Sequence, residues 1–332
     1  MKPEKVEAYF RERMPAARNL RMTNFWRQVG GMSRETFFGD FSWEENGESK
    51  SQRFTIRQDH PGGAVVPIPL YFEYQVHQAL HGSEIPVARA FWFEEDSPWE
   101  AGTAGYVRNT VSGVAAASEL LGPENTERRE KVGYQFAEMM ARIHTFDWEK
   151  AGLGEFMDVP KDARDCALQR LKFWKDIHDG SQVEPRPTAA ALYAWLRRNA
   201  PWEVDRVSLV WGDVGVGNFI FEGDQITALT DWEMAHLGDP NKDWASALWR
   251  DIEILLPRDE LFRHYEKVSG LKINEEAVKY YTVWINNEYA TICNHPLSRN
   301  YIGKEKKDAT LAALSFRIVH GCLNRGLEAM GY

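Results

Sequence analysis

Residues 209–245 read LVWGDVGVGNFIFEGDQITALTDWEMAHLGDPNKDWA, and this stretch decides the fold. Asp213 ends an apolar run and precedes a glycine-bearing loop, and Asn218 follows five residues later, at the start of the next apolar run. A tight turn then predicts a hairpin that brings the chain back to Asp231. Such a hairpin would place Asn218 and Asp231 side by side, both facing the loop that carries Asp213.

Three oxygen-bearing side chains at one end of a hairpin form a site for a hard cation, with one carboxylate to spare. Phosphoryl transfer needs such a set, because magnesium bridges the phosphates while a carboxylate orients the attacking hydroxyl and accepts its proton. Asp and Asn are also common turn residues, so turn chemistry explains any one of the three equally well. Their joint occurrence between apolar strands favours the catalytic interpretation.

The remainder of the chain predicts a β-rich first third followed by a mainly helical region with a short β insert. In the first third, a helix over 3–13 precedes strands and one further helix. The strands are predicted at 24–29, 36–43, 52–57, 87–93 and 105–111, with the helix at 70–81. Helices are predicted at 126–148, 162–178 and 188–199, strands at 207–211, 219–222 and 226–230, and helices from 241 onward, broken near Pro257 and at His295-Pro296.

Composition excludes several classes of function. The 332 residues include 40 Lys and Arg against 49 Asp and Glu, a formal charge of −9, which argues against nucleic acid or an anionic membrane as a partner. Residues 201–300 alone hold 17 acidic and 9 basic residues. This local surplus fits metal binding, a cationic substrate or a solvated acidic face, and composition does not choose among them.

The three cysteines are sparse and far apart, which argues against a disulfide framework and fits a reducing compartment. The first residues lack the apolar core of a signal peptide, and no run of about 18 apolar residues is present. We therefore expect a cytoplasmic protein.

The pattern Trp-Gly-Asp213 with Asn218 five residues later, then Asp231-Trp-Glu, then Gly238-Asp-Pro followed by Asp243, resembles the phosphotransferase family of aminoglycoside and choline kinases. The likeness is greatest to the aminoglycoside phosphotransferase-like branch, whose domains also occur fused to acyl-CoA dehydrogenases. The resemblance covers about residues 24–245.

The resemblance implies an α+β fold of the bilobal protein-kinase-like type. A small β-rich N-terminal lobe would span 1–108 and cover the nucleotide phosphates. A larger, mainly helical C-terminal lobe would span 109–332 and carry the catalytic loop, the metal site and the acceptor pocket.

In that family the matching positions have defined roles. The resemblance implies that Asp213 is the catalytic aspartate and that Asn218 and Asp231 hold magnesium. Asp243 would brace the catalytic loop from the following helix. A carboxylate in the first turn of a helix also complements the helix dipole, and both roles can hold at once.

The N-terminal third carries the expected nucleotide contacts. Gly30, Gly31 and Ser33 occupy the place of the phosphate-covering loop, where glycines let backbone N–H groups approach phosphate oxygens. A Gly-Gly hairpin turn is the ordinary alternative. Arg57 takes the place of the family's third-strand lysine, contacting the phosphates and pairing with Glu73, unless it is a surface cation on an edge strand.

The backbone of Asn109 and Val111 would be offered to the purine. Three positions depart from the family pattern. Trp211 stands where the family often has a histidine, and Arg108 occupies a usually apolar position beside the purine. Arg57 stands where the family has a lysine, so a planar guanidinium takes the place of a compact ammonium charge. These departures put the nucleotide preference in question more than the catalysis.

The sequence thus predicts a small-molecule kinase that transfers the γ-phosphate of ATP or GTP, with Mg²⁺, to a hydroxyl. The alternatives are a pseudokinase-like module that binds nucleotide without turnover and, more distantly, a purely structural acidic domain. The acceptor is a hydroxylated small molecule, and an aminoglycoside, a hydroxyacyl compound and another alcohol remain open, as does the oligomeric state.

Overall fold

The computed structural model describes residues 1–28, 34–60, 65–182, 184–302 and 309–332, without the side chains of 296–302 and 309–314. The chain divides into two compact units. The first comprises Met1–His81 and Val87–Ser112, and the second comprises Gly82–Pro86 and Gly113–Tyr332. The first unit is mainly β and the second mainly helical, so the fold is α+β, as predicted.

The first unit is built on one antiparallel sheet with the strand order β1-β2-β3-β5-β4. Its elements are α1 (Pro3–Arg13), β1 (Arg18–Arg27), β2 (Arg34–Glu45), β3 (Glu48–Asp59), α2 (Leu70–Leu80), β4 (Ala90–Glu94) and β5 (Gly105–Asn109). β1 begins six residues before the predicted start of its strand. This edge strand is largely exposed and rich in charge, so it lacks the apolar alternation by which strands are predicted.

Aromatic side chains fill the core between α1 and the sheet. The ring of Phe10 on α1 stacks on Phe41 of β2 at 3.9 Å between centroids and meets the edge of Phe54 on β3 at 5.0 Å. All three side chains are buried. Alternate residues of β2 point into this core, which is the two-residue period that predicted the strand.

The second unit is mostly helical and holds two small antiparallel sheets, β6-β9 and β7-β8. Its helices are α3 (Thr126–Thr145), α4 (Ala163–Ser181), α5 (Pro187–Asn199), α6 (Asn241–Trp249), α7 (Arg258–Ser269), α8 (Glu275–Ile302) and α9 (Ala309–Ala329). Its strands are β6 (Ser208–Val210), β7 (Phe219–Glu222), β8 (Gln225–Leu229) and β9 (His236–Gly238). β9 was not predicted, because three residues are too few to show a strand period.

One predicted helix boundary is wrong. α8 does not end at His295-Pro296 and continues to Ile302. A proline removes one backbone donor and disfavours helical backbone before it, which is why the pair predicted a break. α8 packs along α9 and also against α4, α5 and α6, and tertiary packing of this extent outweighs one lost hydrogen bond.

In the described part of the chain, no helix combines the length and the apolar character needed to cross a bilayer. All three cysteines are buried free thiols, in agreement with the expected absence of a disulfide framework.

Candidate active site

Asp213 lies on the loop between β6 and β7, just after a glycine that has no substitute. Gly212 has φ of +95°, and a Cβ there would lie 2.3 Å from the backbone oxygen of Met234. Any other residue would strain the backbone and collide with a neighbouring main chain. The sharp turn at Gly212 therefore sets the position from which Asp213 extends, and its side chain is 16% exposed.

The fully buried carboxylate of Asp243 holds this turn. Its Oδ2 accepts the backbone N–H of Trp211 at 2.7 Å, and its Oδ1 accepts that of Gly212 at 2.8 Å. His144, in the last turn of α3, places Nε2 3.1 Å from the same Oδ2 and Nδ1 2.9 Å from the hydroxyl of Tyr265. Two charge-assisted backbone bonds fix the peptides that precede Asp213.

The predicted hairpin is β7-β8, and it brings Asn218 to the loop of Asp213. Asn218 Nδ2 donates to the backbone oxygen of Asp213 at 2.7 Å and to its Oδ2 at 2.8 Å. The backbone N–H of Thr230 donates to the oxygen of Asn218 at 2.8 Å. Asp231 follows directly in the left-handed conformation, with φ of +62°. The indole of Trp211 donates to the oxygen of Thr230 at 2.9 Å and ties the loop to this end of the hairpin.

Two further residues hold Asp213, and the sequence analysis missed both. Arg250, directly after α6, places Nη1 2.6 Å from Oδ1 in an ion pair, and the hydroxyl of Tyr289 on α8 donates to the same oxygen. Burial alone would lower the pKa of Arg250, but the charges and hydrogen bonds of Asp213 and Tyr289 together outweigh burial and raise that pKa. Burial and the charge of Asp213 raise the pKa of Tyr289 well above its ordinary value, so Tyr289 stays protonated and donates.

Local packing explains these positions. A Cβ at Gly215 would lie 2.4 Å from Arg250 Nε, so the glycine of the loop makes room for the arginine. The ring of Tyr289 stacks on Trp249 at 4.4 Å between centroids, with an interplanar angle of 7°. Arg250 lies seven residues after Asp243, two helical turns along α6, and this spacing is the one signal that would have indicated it.

In the first unit, Arg57 on β3 pairs with Glu73 on α2. Arg57 Nε lies 2.9 Å from Glu73 Oε1 and 3.1 Å from Oε2, and the hydroxyl of Tyr106 donates to Oε1 at 3.0 Å. Glu73 is fully buried, and burial alone would raise its pKa. The surrounding charges, that of Arg57 foremost, together outweigh burial and lower the pKa of Glu73 to about 2, so the pair is ionised at neutral pH.

Arg108 lies on β5 and turns its side chain toward α2. Its Nη1 is 3.3 Å from Nε2 of the buried His77, whose Nδ1 lies 3.0 Å from the backbone oxygen of Ala88. Burial and the charge of Arg108 lower the pKa of His77 to about 3. His77 is therefore neutral at physiological pH, and its 3.9 Å approach to Glu73 is not an ion pair.

The remaining predicted contacts are only partly visible. The N–H of Asn109 donates to the backbone oxygen of Arg89 at 3.0 Å, so this donor is already used within the sheet. Val111 follows β5 by two residues. The predicted phosphate-covering residues lie outside the described residues: Gly30, Gly31 and Ser33.

The donors near Asp213 fit magnesium chemically. Both side-chain hydrogen bonds of Asn218 use its amide nitrogen, so its side-chain oxygen Oδ1 could bind a cation, and Asp231 carries a carboxylate. Magnesium takes oxygen ligands, commonly one or two side chains with waters and substrate phosphates. Over the described ranges, no three His, Cys, Asp or Glu side chains group into a metal site.

Comparison with protein-family models matches residues 43–280 to the phosphotransferase enzyme family. Acyl-CoA dehydrogenase family member 11 of Rattus norvegicus is 23% identical over 282 residues, which cover 83% of this chain and 34% of that protein. The chain thus spans about a third of the length of this curated relative.

Solved structures share the fold. A candidate aminoglycoside phosphotransferase of Ralstonia eutropha JMP134 has a TM-score of 0.70 at 23% identity, covering 99% of this chain and 98% of that one. A thermostable mutant of the aminoglycoside phosphotransferase APH(4)-Ia, in a ternary complex with ADP and hygromycin B, has a TM-score of 0.55 at 17% identity, covering 97% and 99%. The predicted protein-kinase-like fold class is therefore confirmed.

Asp243→Asn should lower the free energy of unfolding by about 2–4 kcal/mol, because an amide presents one acceptor where two backbone donors need one each. Urea denaturation measures this loss. Asp259→Asn, an exposed carboxylate at the start of α7, should change stability by less than about 0.5 kcal/mol. Equal effects of the two substitutions would show that Asp243 does not hold the loop.

His77→Gln should flatten the pH dependence of stability. Between about pH 6.5 and pH 3 the unfolded chain binds a proton at His77 that the native protein, with a pKa of about 3, does not, so stability falls as pH falls. The contribution is about 1.4 kcal/mol per pH unit for one proton. Unfolding free energies at pH 4.5, 5.25 and 6.0 measure it. The exposed His81→Gln is the control, and an unchanged slope in His77→Gln would refute the assignment.

Proposed function

The chain belongs to the phosphotransferase enzyme family, and we propose that it is a small-molecule kinase that transfers the γ-phosphate of ATP or GTP to a hydroxyl. The observation that carries the proposal is the geometry of Asp213. Its carboxylate is partly exposed, extends from a loop that Asp243 locks, and is held by donors from three separate segments.

Asp213 acts as the base. Phosphoryl transfer asks the protein mainly for positioning and electrostatic stabilisation, because the transition state involves little bonding to the enzyme. Arg250 and Tyr289 hold Oδ1 while Asn218 holds Oδ2, so the plane of the carboxylate is set before a substrate arrives. An acceptor hydroxyl that replaces one of these donors is oriented for in-line attack and gives its proton to the carboxylate.

Different residues would bind the metal and the nucleotide. Asn218 and Asp231 would hold magnesium, which would neutralise charge on the phosphate oxygens. Arg57, fixed by Glu73, would contact the nucleotide phosphates with a planar fork of donors. The related APH(4)-Ia mutant was solved with ADP, which supports a nucleotide as co-substrate.

The acceptor is not carried over from the relatives. Hygromycin B is bound in the APH(4)-Ia complex, but one fold hosts many acceptors and the contacts of the acceptor decide among them. We therefore propose a hydroxylated small molecule as the substrate class and infer nothing about antibiotics.

A second candidate function is nucleotide binding without turnover. The ion pair between Arg250 and Asp213 favours it, because a carboxylate engaged by an arginine and a tyrosine is less available to a substrate proton. The two candidates differ in whether ADP forms in the presence of an alcohol.

Asp213→Asn should abolish ADP release, by a factor of about 10³ or more, while leaving nucleotide binding intact. A coupled ADP assay over a panel of hydroxylated metabolites measures turnover, and the nucleotide-induced rise in Tm measures binding. Asp224→Asn, a partly exposed carboxylate at the tip of the same hairpin, is the matched control. Turnover that persists in Asp213→Asn would exclude Asp213 as the base, and wild type that binds nucleotide without releasing ADP would favour the second candidate.

Asp231→Asn should remove most of the stabilisation by magnesium nucleotide. A ligand raises stability by RT ln(1 + [L]/Kd), so a 100-fold weaker Kd at saturating nucleotide lowers the gain by about 2.7 kcal/mol. Differential scanning fluorimetry with ATP, with and without Mg²⁺, measures it. The expected loss appears only when Mg²⁺ is present. An equal Tm shift in wild type and Asp231→Asn would contradict a metal role.

A further inference from the structure

Four ionisable side chains lie together in the second unit, next to the loop of Asp213. They are Arg170 on α4, His236 on β9, Lys242 on α6 and Glu288 on α8. Lys242 Nζ lies 3.2 Å from Glu288 Oε2 and 3.4 Å from the backbone oxygen of Gly212. The group therefore borders the catalytic turn, and Glu288 immediately precedes Tyr289, which donates to Asp213.

Arg170 presents an unused edge of its guanidinium. The Cζ atom of this guanidinium lies 4.4 Å from the ring centroid of Phe173 and 5.8 Å from that of Trp174. Its Nε and Nη2 are both fully buried, and neither has a hydrogen-bond partner within the described part of the protein. These two nitrogens form the side-on fork that binds a carboxylate or phosphate through two parallel hydrogen bonds. The residue as a whole is only half-buried.

The charges within this group do not balance. Glu288 is the one carboxylate of the four residues and lies near both Arg170 and Lys242, while burial lowers the pKa of His236 far enough to keep it neutral. Asp158 is near Arg170 but exposed. An unpaired buried cation is unfavourable, and proteins normally supply a counter-charge.

Unused acceptors lie on the adjoining turn of α8. Asn287 Oδ1 is buried without a hydrogen-bond donor, and Glu288 Oε2 is buried with only the ion pair to Lys242. Buried polar atoms in native proteins nearly always have partners. The fork of Arg170 would bind an oxyanion, and the acceptors on α8 would bind hydroxyl groups. Together they are complementary to a molecule that carries an oxyanion and hydroxyl groups.

We propose that Arg170 and Lys242 bind the oxyanion of the acceptor, so that the substrate of the proposed kinase is a hydroxylated acid, either a carboxylate or a phosphate ester. The anionic group lies against the Arg170 fork, and hydroxyls of the same molecule donate to Asn287 and Glu288. That the bound molecule is the phosphate acceptor rests on the proposed function, whereas the anion site itself does not. An anionic acceptor would exclude the cationic substrate that the acidic surplus of residues 201–300 allowed.

The first test is substrate choice. Two pairs of compounds are compared as substrates: glycerol 3-phosphate with glycerol, and D-gluconate with D-glucose. The members of each pair differ chiefly by an anionic group, and kanamycin is the cationic compound. Wild type should favour the acid of a pair that it phosphorylates by at least 10-fold in kcat/KM. Arg170→Lys keeps the charge but loses the fork, so the preference for the acid should fall at least 10-fold. The fall should come from a lower kcat/KM for the acid, and that for the neutral compound of the pair should not change. A preference for the neutral or cationic compound, or a preference unchanged in Arg170→Lys, would overturn the proposal.

The matched control lies on the same helix. Arg164 is also half-buried and stacks on a tryptophan, but its nitrogens donate to the backbone oxygens of Ala200 and Arg197. Arg164→Lys should leave the preference for the acid unchanged.

The second test needs no turnover. Sodium sulfate, titrated at constant ionic strength against sodium chloride, should raise the Tm of Asp213→Asn, and Arg170→Met should abolish the rise that Arg164→Met retains. No sulfate-specific rise, or one that persists in Arg170→Met because sulfate binds elsewhere, would refute the anion site. A rise that depends on Arg170, together with no ADP release from any alcohol, would leave the anion site standing and reject the kinase function.

Discussion

The hydrogen bonds from the backbone of Trp211 and Gly212 to the buried carboxylate of Asp243 are the constraint on which the candidate site depends. Without that acceptor, the turn before Asp213 would bury two backbone donors, each at a cost of about 1–3 kcal/mol. His144, brought to the other side of Asp243 by the amphipathic helix α3, adds a contact to the same carboxylate. Within the second unit, α3 is thus connected to the loop of Asp213 through the side chains of His144 and Asp243.

The consequence is a carboxylate whose position is set by distant segments. Asn218 comes from the hairpin, Arg250 from the end of α6 and Tyr289 from the middle of α8, and all three converge on Asp213. Such preorganisation suits a reaction in which positioning contributes most of what the protein provides. Lys242 contacts the same turn through the backbone oxygen of Gly212, so the proposed anion site and the proposed base would share one framework.

The sequence predicted the part of this site that is encoded locally. The hairpin that joins Asn218 to Asp231 follows from two apolar runs and a turn. Within the first unit, separately, Arg57 and Glu73 lie together as the family resemblance implied. Arg250 and Tyr289 were missed because they lie 37 and 76 residues from Asp213, and the spacing of Arg250 from Asp243 is the one local indication of either contact. The helix across Pro296 was missed for a related reason, since packing on several other helices outweighs a local signal. The contact of Arg108 with His77 likewise depends on how a strand faces a helix.

Phosphorus-31 NMR of the protein with ATP, Mg²⁺ and a mixture of hydroxylated acids and neutral alcohols tests the central claim most directly. If Asp213 activates an acceptor hydroxyl, the β-phosphate signal of ATP declines while signals of ADP and a new phosphomonoester grow together. The phosphomonoester should form with the acids. ATP that remains unchanged, or that yields only ADP and inorganic phosphate, would contradict a kinase acting on an alcohol.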